Sequence, residues 1–234
     1  MATLSGSPAL RAMAGDRPVP RAGVAAPGPG GLPPAIVEAC RFASLQLGGP
    51  RLVSLGVTSA LRGEGRSSIA RALAEIQDVD YERRVVLLDL DLDRPSLSRS
   101  LGAAPAPGIA ELVDGTASLD DVIQPLGGGI SLVAAGASAW PASRTMAGIL
   151  RAGILQAIEE RFDATIADLP PLLSSSVGQA PAAAFGDLLL VVRSGVTPLG
   201  RIRQATAHLP VQPSVLLNGT RSHLPPWLQR LAGC

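Results

Sequence analysis

The feature that most constrains the fold is a series of short apolar runs separated by helical patterns. Each run is rich in β-prone residues and is continuously apolar rather than alternating, which is typical of strands buried on both faces. The six runs cover residues 51–57, 84–90, 130–135, 164–167, 187–193 and 213–217. The sequence therefore predicts an α/β fold, with a mostly parallel sheet flanked by helices on both faces.

Helical patterns lie between several of these runs. We predict helices over residues 35–47, 67–77 and 144–162. In the last of these, apolar residues recur at spacings of three, four and five, which places them on one face of a helix. In open parallel sheets, ligands bind in the loops at the carboxyl ends of the strands, so functional residues are expected there.

Composition shifts suggest one domain with short extensions. Residues 1–34 are rich in Ala, Gly and Pro and are predicted to form a disordered arm, whereas 35–220 form the domain and 221–234 a short tail. The two cysteines, Cys40 and Cys234, lie far apart, which argues against a disulfide framework and fits a reducing compartment. Neither a long apolar span nor a signal-peptide pattern is found, so we expect a cytoplasmic protein.

The charged residues exclude several functions. All 20 basic residues are arginine, so the chain has no lysine for Schiff-base chemistry or for the usual phosphate-binding loop. The 19 carboxylates bring the net charge to +1, which gives no long-range attraction to nucleic acid. Aromatic residues make up only 3%, which argues against single-strand binding by base stacking.

A glycine-bearing loop follows the first apolar run and precedes a predicted helix. This loop, TSALRGEGRSS at 58–68, suits an anion, because backbone N–H groups at a helix N-terminus attract negative charge. Gly63 and Gly65 permit close approach of phosphate, and Ser67 stands where a phosphate-loop hydroxyl binds Mg²⁺. The loop departs from the G-x-x-x-x-G-K-[ST] pattern at its first glycine and at its lysine, which is Arg66 here. Taken alone, it fits an ordinary strand-to-helix turn equally well.

Polar side chains follow three of the other runs. Asp89 and Asp91 lie two residues apart in an extended segment, on one face, and suit Mg²⁺, a water or a hydroxyl nucleophile. Asp168 follows the fourth run, in the place of the second metal-side acid of phosphate-loop NTPases. Asn218 ends the last run and can offer a donor and an acceptor to an adenine edge. The alternatives are a charged loop for the aspartates and a helix or turn cap for the asparagine.

In their order and spacing, these motifs resemble the cytoplasmic domain of bacterial tyrosine kinases (BY-kinases), the CpsD/CapB-like proteins of capsule and exopolysaccharide synthesis. Those proteins belong to the MinD/ParA-like deviant phosphate-loop (P-loop) ATPases. The resemblance covers about residues 36–220. Besides the phosphate loop, its segments are LLDLDLDRPSL at 87–97, the stretch 107–123, the Walker B run at 162–171, and 38–41 at the start of an oligomerisation helix.

The resemblance implies a role for each motif residue. The residues implied to bind ATP are Gly63, Glu64, Gly65, Arg66, Ser67, Ser68 and Asn218. The residues implied to hold Mg²⁺ are Ser67, Asp89 and Asp168. The residues implied in catalysis are Asp89, Asp91 and Arg66, the last in the place of the phosphate-contacting lysine.

At the level of function, the resemblance implies an ATP-binding protein that regulates exopolysaccharide or capsule synthesis or export. It implies a transmembrane chain-length-determinant partner, recruitment by it to the inner face of the cell membrane, and a homo-oligomer. Family members phosphorylate a tyrosine-rich tail, but the one tyrosine here is Tyr81, which precedes the second run. Three alternatives stay open: an active kinase or ATPase with Arg66 for lysine, a MinD/ParA-like positioning ATPase, and a non-catalytic scaffold.

Overall fold

A computed structural model describes residues 33–219. Its strands are β1 Ser54–Ser59, β2 Val85–Asp89, β3 Ile123–Gly127, β4 Ile130–Val133, β5 Ala164–Asp168, β6 Asp187–Arg193 and β7 Ser214–Asn218. They form one seven-stranded sheet in the order β3-β4-β2-β5-β1-β6-β7. All neighbouring strands pair in parallel except β3 and β4. The predicted α/β fold with a mostly parallel sheet is confirmed.

Helices cover both faces of this sheet. Within the described residues, the α-helices are α1 Pro34–Gln46, α2 Arg66–Val79, α3 Leu97–Ser100, α4 Ile109–Asp114, α5 Leu119–Val122, α6 Ala142–Arg151, α7 Ile154–Glu159 and α8 Leu199–Thr206. Two short 3₁₀ helices lie at Gly49–Arg51 and Ala180–Ala184. None of the helices in this part of the chain combines the length and apolar character needed to cross a bilayer.

Alternate residues of the central strands face two separate cores. In β2, Val85 and Leu87 pack with α1 and α2 on one side of the sheet. Val86 and Leu88 face the other side, where they pack with α4 to α7. Because successive strand side chains point to opposite faces, a strand covered on both sides must be apolar at every position, as the sequence pattern indicated.

One predicted helix is wrong as a single element. The pattern over 144–162 forms two helices, α6 and α7, because Gly153 between them adopts a left-handed conformation with φ of 68°. The apolar stripe continues across this break, so Met146 and Ile149 of α6 share a core with Ile154 and Ile158 of α7. Periodicity alone did not reveal the interruption, since the spacing of five falls at the turn.

The antiparallel strand β3 was not predicted. Its sequence contains Pro125 and ends at Gly127, and its pairing with β4 shifts register between those two residues. Proline lacks the N–H needed inside a sheet, and it is tolerated here because β3 lies at the edge. The weak β pattern and the central proline concealed this strand.

The segment that resembles an oligomerisation helix lies in α1. Arg41 pairs within the chain, with Glu38 at 2.8 Å and with Asp80 at 2.9 Å beyond the end of α2. Phe42 and Leu45 of the same helix are 66% and 60% exposed. The homo-oligomer stays a prediction.

The predicted tail at 221–234 lies outside the described residues, as does the predicted arm apart from its last two residues.

Candidate nucleotide-binding site

The glycine-bearing loop joins β1 to α2 at the carboxyl edge of the sheet. Gly65 is the residue that caps α2 and has a φ of 97°, and Gly63 has a φ of 78°. Both conformations favour glycine, which explains the spacing of the two. No side chain caps the first turn of this 14-residue helix. Its N-terminal N–H groups are therefore available to an anion, and the helix dipole favours negative charge there.

A buried glutamate in this loop stabilises it through hydrogen bonds to the loop itself and to the end of β6. Glu64 is 2% exposed, and its carboxylate accepts hydrogen bonds from the backbone N–H of Leu61 at 2.8 Å and of Arg193 at 3.2 Å. It also accepts a hydrogen bond from the hydroxyl of Thr197. The side chain thus ties the loop to the end of β6, and only the backbone of Glu64 is left to face a ligand. Sequence reasoning missed this bracing role.

Asn218 also holds the loop. Its Nδ2 donates a hydrogen bond to the backbone carbonyl of Glu64 at 2.8 Å. A Cβ atom added at Gly65 would collide with this same amide. Asn218 therefore lies against the phosphate loop, and its predicted contact with adenine stays a prediction.

Three aspartates meet beside the loop. Asp89 and Asp168 are paired neighbours at the ends of β2 and β5, and Asp91 follows two residues later. Their exposed fractions are 0% for Asp89, 3% for Asp91 and 1% for Asp168. The parallel topology thus brings together carboxylates that are 79 residues apart in sequence at their widest, as expected for the carboxyl edge of a sheet.

Each of the three carboxylates has one oxygen that accepts a hydrogen bond and one that does not. Asp89 Oδ2 accepts the backbone N–H of Leu97 at 2.9 Å, and Asp168 Oδ2 accepts the hydroxyl of Ser67. The Oδ1 atoms of Asp89, Asp91 and Asp168 are buried and have no hydrogen-bond partner within the described residues. Buried acceptors without partners are costly, so each of these oxygens is available to a cation or another donor that a ligand brings.

Burial changes the acidity of two of these groups. It raises the pKa of Asp168 to about 7, against the opposing effects of the Arg66 charge and the Ser67 hydrogen bond. Burial likewise raises the pKa of Asp89 to about 6, partly offset by the hydrogen bond from Leu97. Such shifts near neutral pH are common in functional sites, and they make proton uptake at this edge depend on physiological pH.

The Arg66 side chain lies among these carboxylates. Its Nη2 is 2.9 Å from Asp91 Oδ2. Its Nη1 donates to the backbone carbonyl of Leu169 and lies 3.9 Å from Asp168 Oδ1. Arg66 is 8% exposed. A planar guanidinium can hold several acceptors at once, whereas an ammonium is a compact point charge. Arg66 thus ties the start of α2 to the loops that follow β2 and β5.

The protein carboxylates do not form a metal site by themselves. Across residues 33–219, no three His, Cys, Asp or Glu side chains are grouped closely enough to hold an ion. Mg²⁺ is commonly bound by one or two carboxylates together with substrate phosphates, rather than by a cage made only of protein. The contact between Ser67 and Asp168 and the free oxygens of the aspartates fit that arrangement.

The free energy of unfolding of the nucleotide-free protein is expected to fall as the pH rises from about 4 to 8. Asp89 and Asp168 have a higher pKa in the folded state than their ordinary value of 3.8, so their contribution to stability is fully present only below that pH. That contribution is lost as the pH passes about 6 and then about 7. One pKa unit is worth ~1.4 kcal/mol, so the Asp89 effect is roughly 3 kcal/mol and the Asp168 effect larger.

Urea unfolding at pH 5 and pH 8 measures this dependence. The Asp168→Asn variant should lose more than half of the difference between the two pH values. An Asp114→Asn variant, changed at an exposed carboxyl at the end of α4, should keep the wild-type difference. An equal pH dependence in wild type and Asp168→Asn would contradict the assignment.

Comparisons with known proteins bear on the family. No family model matches the chain. It is 30% identical over 156 residues to the tyrosine-protein kinase Ptk of Acinetobacter johnsonii, covering 66% of this chain and 21% of that protein. It is 27% identical over 172 residues to the putative tyrosine-protein kinase EpsB of Ralstonia solanacearum, covering 73% and 22%. The succinoglycan biosynthesis transport protein ExoP of Rhizobium meliloti is 28% identical over 180 residues, covering 71% and 22%.

Two solved structures show the same fold. The kinase domain of VpsO superposes with a TM-score of 0.72 at 23% identity, covering 80% of this chain and 95% of that one. The septum site-determining protein MinD of Pyrococcus horikoshii, complexed with Mg-ADP, gives a TM-score of 0.52 at 19% identity, covering 76% of each chain. The chain is a homologue of the bacterial tyrosine kinases (BY-kinases), and its fold is shared with MinD. The chain spans about a fifth of the length of Ptk, EpsB and ExoP.

In this BY-kinase homologue, the structure gathers most of the predicted site residues at one edge of the sheet. Ser67 lies in the first turn of α2 and contacts Asp168, and Ser68 next to it is exposed. Sequence reasoning missed Arg62, which pairs with Asp91 from within the phosphate loop. The sequence did contain an indication of this ion pair, because Arg62 lies in a loop at the same edge of the sheet as Asp89 and Asp91.

Proposed function

We propose that this BY-kinase homologue binds ATP with Mg²⁺ at the phosphate loop and regulates exopolysaccharide or capsule synthesis or export. The observation that carries the proposal is the set of three buried aspartate oxygens that accept no hydrogen bond, beside the uncapped N-terminus of α2. An uncapped helix N-terminus suits the phosphates, and free carboxylate oxygens suit the accompanying cation. Neither feature is needed for a merely structural turn.

Each side chain has a defined part in this binding. The backbone of the loop from Gly63 to Ser68 would hold the phosphates, and Ser67 with Asp168 would hold Mg²⁺, with Asp89 as the neighbouring acid. When bound, the ion neutralises charge on the phosphate oxygens. Asp89 carries the candidate role of general base, since its raised pKa lets it take a proton near neutral pH.

Tyrosine phosphorylation within one molecule is weak or absent in this proposal. Tyr81 lies two residues beyond the end of α2, whereas the phosphate loop lies at the start of that helix. A helix of 14 residues separates them by roughly 20 Å, which is too far for direct transfer. ATP would therefore serve an assembly cycle with a membrane-embedded chain-length-determinant partner. The likeness to ExoP, by name a succinoglycan biosynthesis transport protein, supports that setting.

A calorimetric titration of ATP into the purified protein, with and without Mg²⁺, tests the proposal. We expect binding with Mg²⁺ in the micromolar range, and a loss of at least tenfold in affinity for Asp168→Asn, because the variant removes a charge that faces the ion. Asp89→Asn should retain binding and lose ATP turnover. Absence of binding at millimolar ATP would reject nucleotide binding and leave the non-catalytic scaffold.

A second candidate is a MinD-like positioning ATPase, favoured by the fold shared with MinD in its complex with Mg-ADP. Co-sedimentation with anionic vesicles distinguishes the two. ATP-dependent sedimentation without a protein partner supports positioning at a surface. Sedimentation only when vesicles carry the chain-length-determinant protein supports the first proposal.

A further inference from the structure

Two arginines of the phosphate loop converge on a single carboxylate oxygen. Arg62 Nη1 is 3.1 Å from Asp91 Oδ2, and Arg66 Nη2 is 2.9 Å from the same atom. The side chain of Arg62 is 26% exposed and that of Arg66 is 9% exposed, so Arg62 approaches Asp91 from the solvent side and Arg66 from the buried side. Asp91 itself has only 3% of its surface exposed.

Arg62 is also tied to both neighbouring loops. Its Nη2 lies 3.8 Å from Asp93 Oδ2 in the loop after β2, and it donates a hydrogen bond of 3.4 Å to the carbonyl of Ser174 in the loop after β5. Ser175 donates to the same Asp93 carboxylate at 2.6 Å, which links those two loops directly. These contacts hold the Arg62 guanidinium beside Asp91 independently of Arg66.

This arrangement matters because Arg66 has two possible partners. The guanidinium occupies the phosphate-contacting position of the loop by sequence, yet here it is bound to Asp91 and to the Leu169 carbonyl. If Arg66 turned to phosphate with no other cation nearby, Asp91 would be left as a buried charge without a partner. Breaking a buried ion pair in that way is strongly unfavourable.

We propose that Arg62 is a positioning residue that keeps Asp91 neutralised when Arg66 leaves it for the phosphates of ATP. The proposal rests on the ATP binding proposed above. Arg62 acts through Asp91 and does not itself touch the nucleotide. It therefore lowers the cost of nucleotide binding, and the protein uses one arginine for the carboxylate and the other for the phosphates.

A double-mutant cycle on ATP–Mg²⁺ affinity tests this role. We expect Arg62→Ala to weaken binding about tenfold, because Arg66 can then contact phosphate only by leaving Asp91 without a cation. In an Asp91→Asn background, the same change should alter affinity less than twofold, since no buried charge needs compensation. Arg62→Lys should recover at least half of the change in log Kd that Arg62→Ala causes, because an ammonium can still pair with Asp91.

Two controls separate this role from general effects. All titrations are made at 10 °C on variants whose thermal unfolding shows them to be fully folded, so lost stability cannot appear as lost affinity. Arg99→Ala removes an equal charge from an exposed position on α3 and should leave the affinity unchanged.

Each outcome decides between the possibilities. Unchanged affinity in Arg62→Ala overturns the positioning role and leaves ATP binding intact. A tenfold loss that persists in the Asp91→Asn background also overturns it, because Arg62 would then contact the nucleotide directly. A wild-type protein that binds no ATP at all overturns the proposed function and this inference with it.

Discussion

A Gly65→Ala variant is expected to bind ATP–Mg²⁺ about 100-fold more weakly than the wild type while remaining folded. The φ of 97° at this residue costs a non-glycine residue roughly 1–2 kcal/mol. The added Cβ would also collide with the Asn218 amide that holds the loop through the Glu64 carbonyl. Without nucleotide, the loop of the variant would relax away from its phosphate-binding conformation. Nucleotide binding would have to restore that conformation, at a cost of about 2–3 kcal/mol, or two orders of magnitude in Kd.

The chain offers a matched control for backbone strain. Gly153, in the turn between α6 and α7, has a φ of 68°, and nothing lies within 4 Å of an added Cβ. Gly153→Ala should therefore lower the thermal midpoint by a few degrees and leave the ATP affinity at its wild-type value. If Gly65→Ala bound ATP within threefold of the wild type, the loop would not be the phosphate site.

A second change isolates the collision. Asn218→Ala removes the amide that the new Cβ would meet, so adding it to Gly65→Ala should recover part of the lost affinity. Introduced alone, Asn218→Ala should weaken binding modestly, because the Glu64 carbonyl loses its hydrogen bond. If the double variant showed simply the product of the two single effects on Kd, a direct contact between the new Cβ at residue 65 and the Asn218 amide would be contradicted.

The placement of Asp89 and Asp168 at the same edge of the sheet followed from the sequence, whereas the adjacency of their strands did not. Both residues end continuously apolar runs, and the carboxyl ends of parallel strands lie at one edge of a sheet. The two positive-φ glycines of the loop were recognisable for a similar reason, since their spacing fits a strand-to-helix turn over an anion. These features depend on local patterns that few alternative folds can share.

The bracing of the loop could not be predicted in the same way. Glu64 carries a charge in a glycine-rich loop, where a solvent-exposed or ligand-facing role is the simplest expectation. Its burial depends on Arg193 and Thr197, which lie about 130 residues away in sequence and meet the loop only because β6 is next to β1. The convergence of Arg62 and Arg66 on Asp91 likewise depends on side-chain directions that the spacing does not specify.

Replacing Arg66 by lysine is expected to raise the rate of ATP turnover by roughly 10- to 100-fold. The guanidinium is held by Asp91 and the Leu169 carbonyl, and both contacts must be given up or distorted before it can reach a transferred phosphate. A misplacement of about 1 Å can cost about 100-fold in rate. A lysine ammonium, on a flexible stem and with a single centre of charge, is released more easily from these partners.

Phosphate release from ATP measures this effect, and Asp168→Asn in the Arg66→Lys background is its control. That double variant should return turnover to background, because it removes the carboxylate beside the Ser67 hydroxyl. Arg66→Ala should lose ATP binding, because no cation then stands in the phosphate-contacting position, whereas Asp91 keeps Arg62 as a partner.

The result for Arg66→Lys decides how the absence of lysine from the chain relates to this site. A large gain in turnover would mean that the loop, Asp89 and Asp168 are competent and that one side chain limits the rate. Arginine at this position would then be tolerated along with the other 19, in a protein whose cycle needs tight nucleotide binding more than fast transfer. An unchanged rate would contradict the prediction and would show that Arg66 leaves Asp91 and performs the lysine's task as well as a lysine does. In that case Arg62 is what makes the substitution possible, because it compensates Asp91 whenever Arg66 is engaged elsewhere.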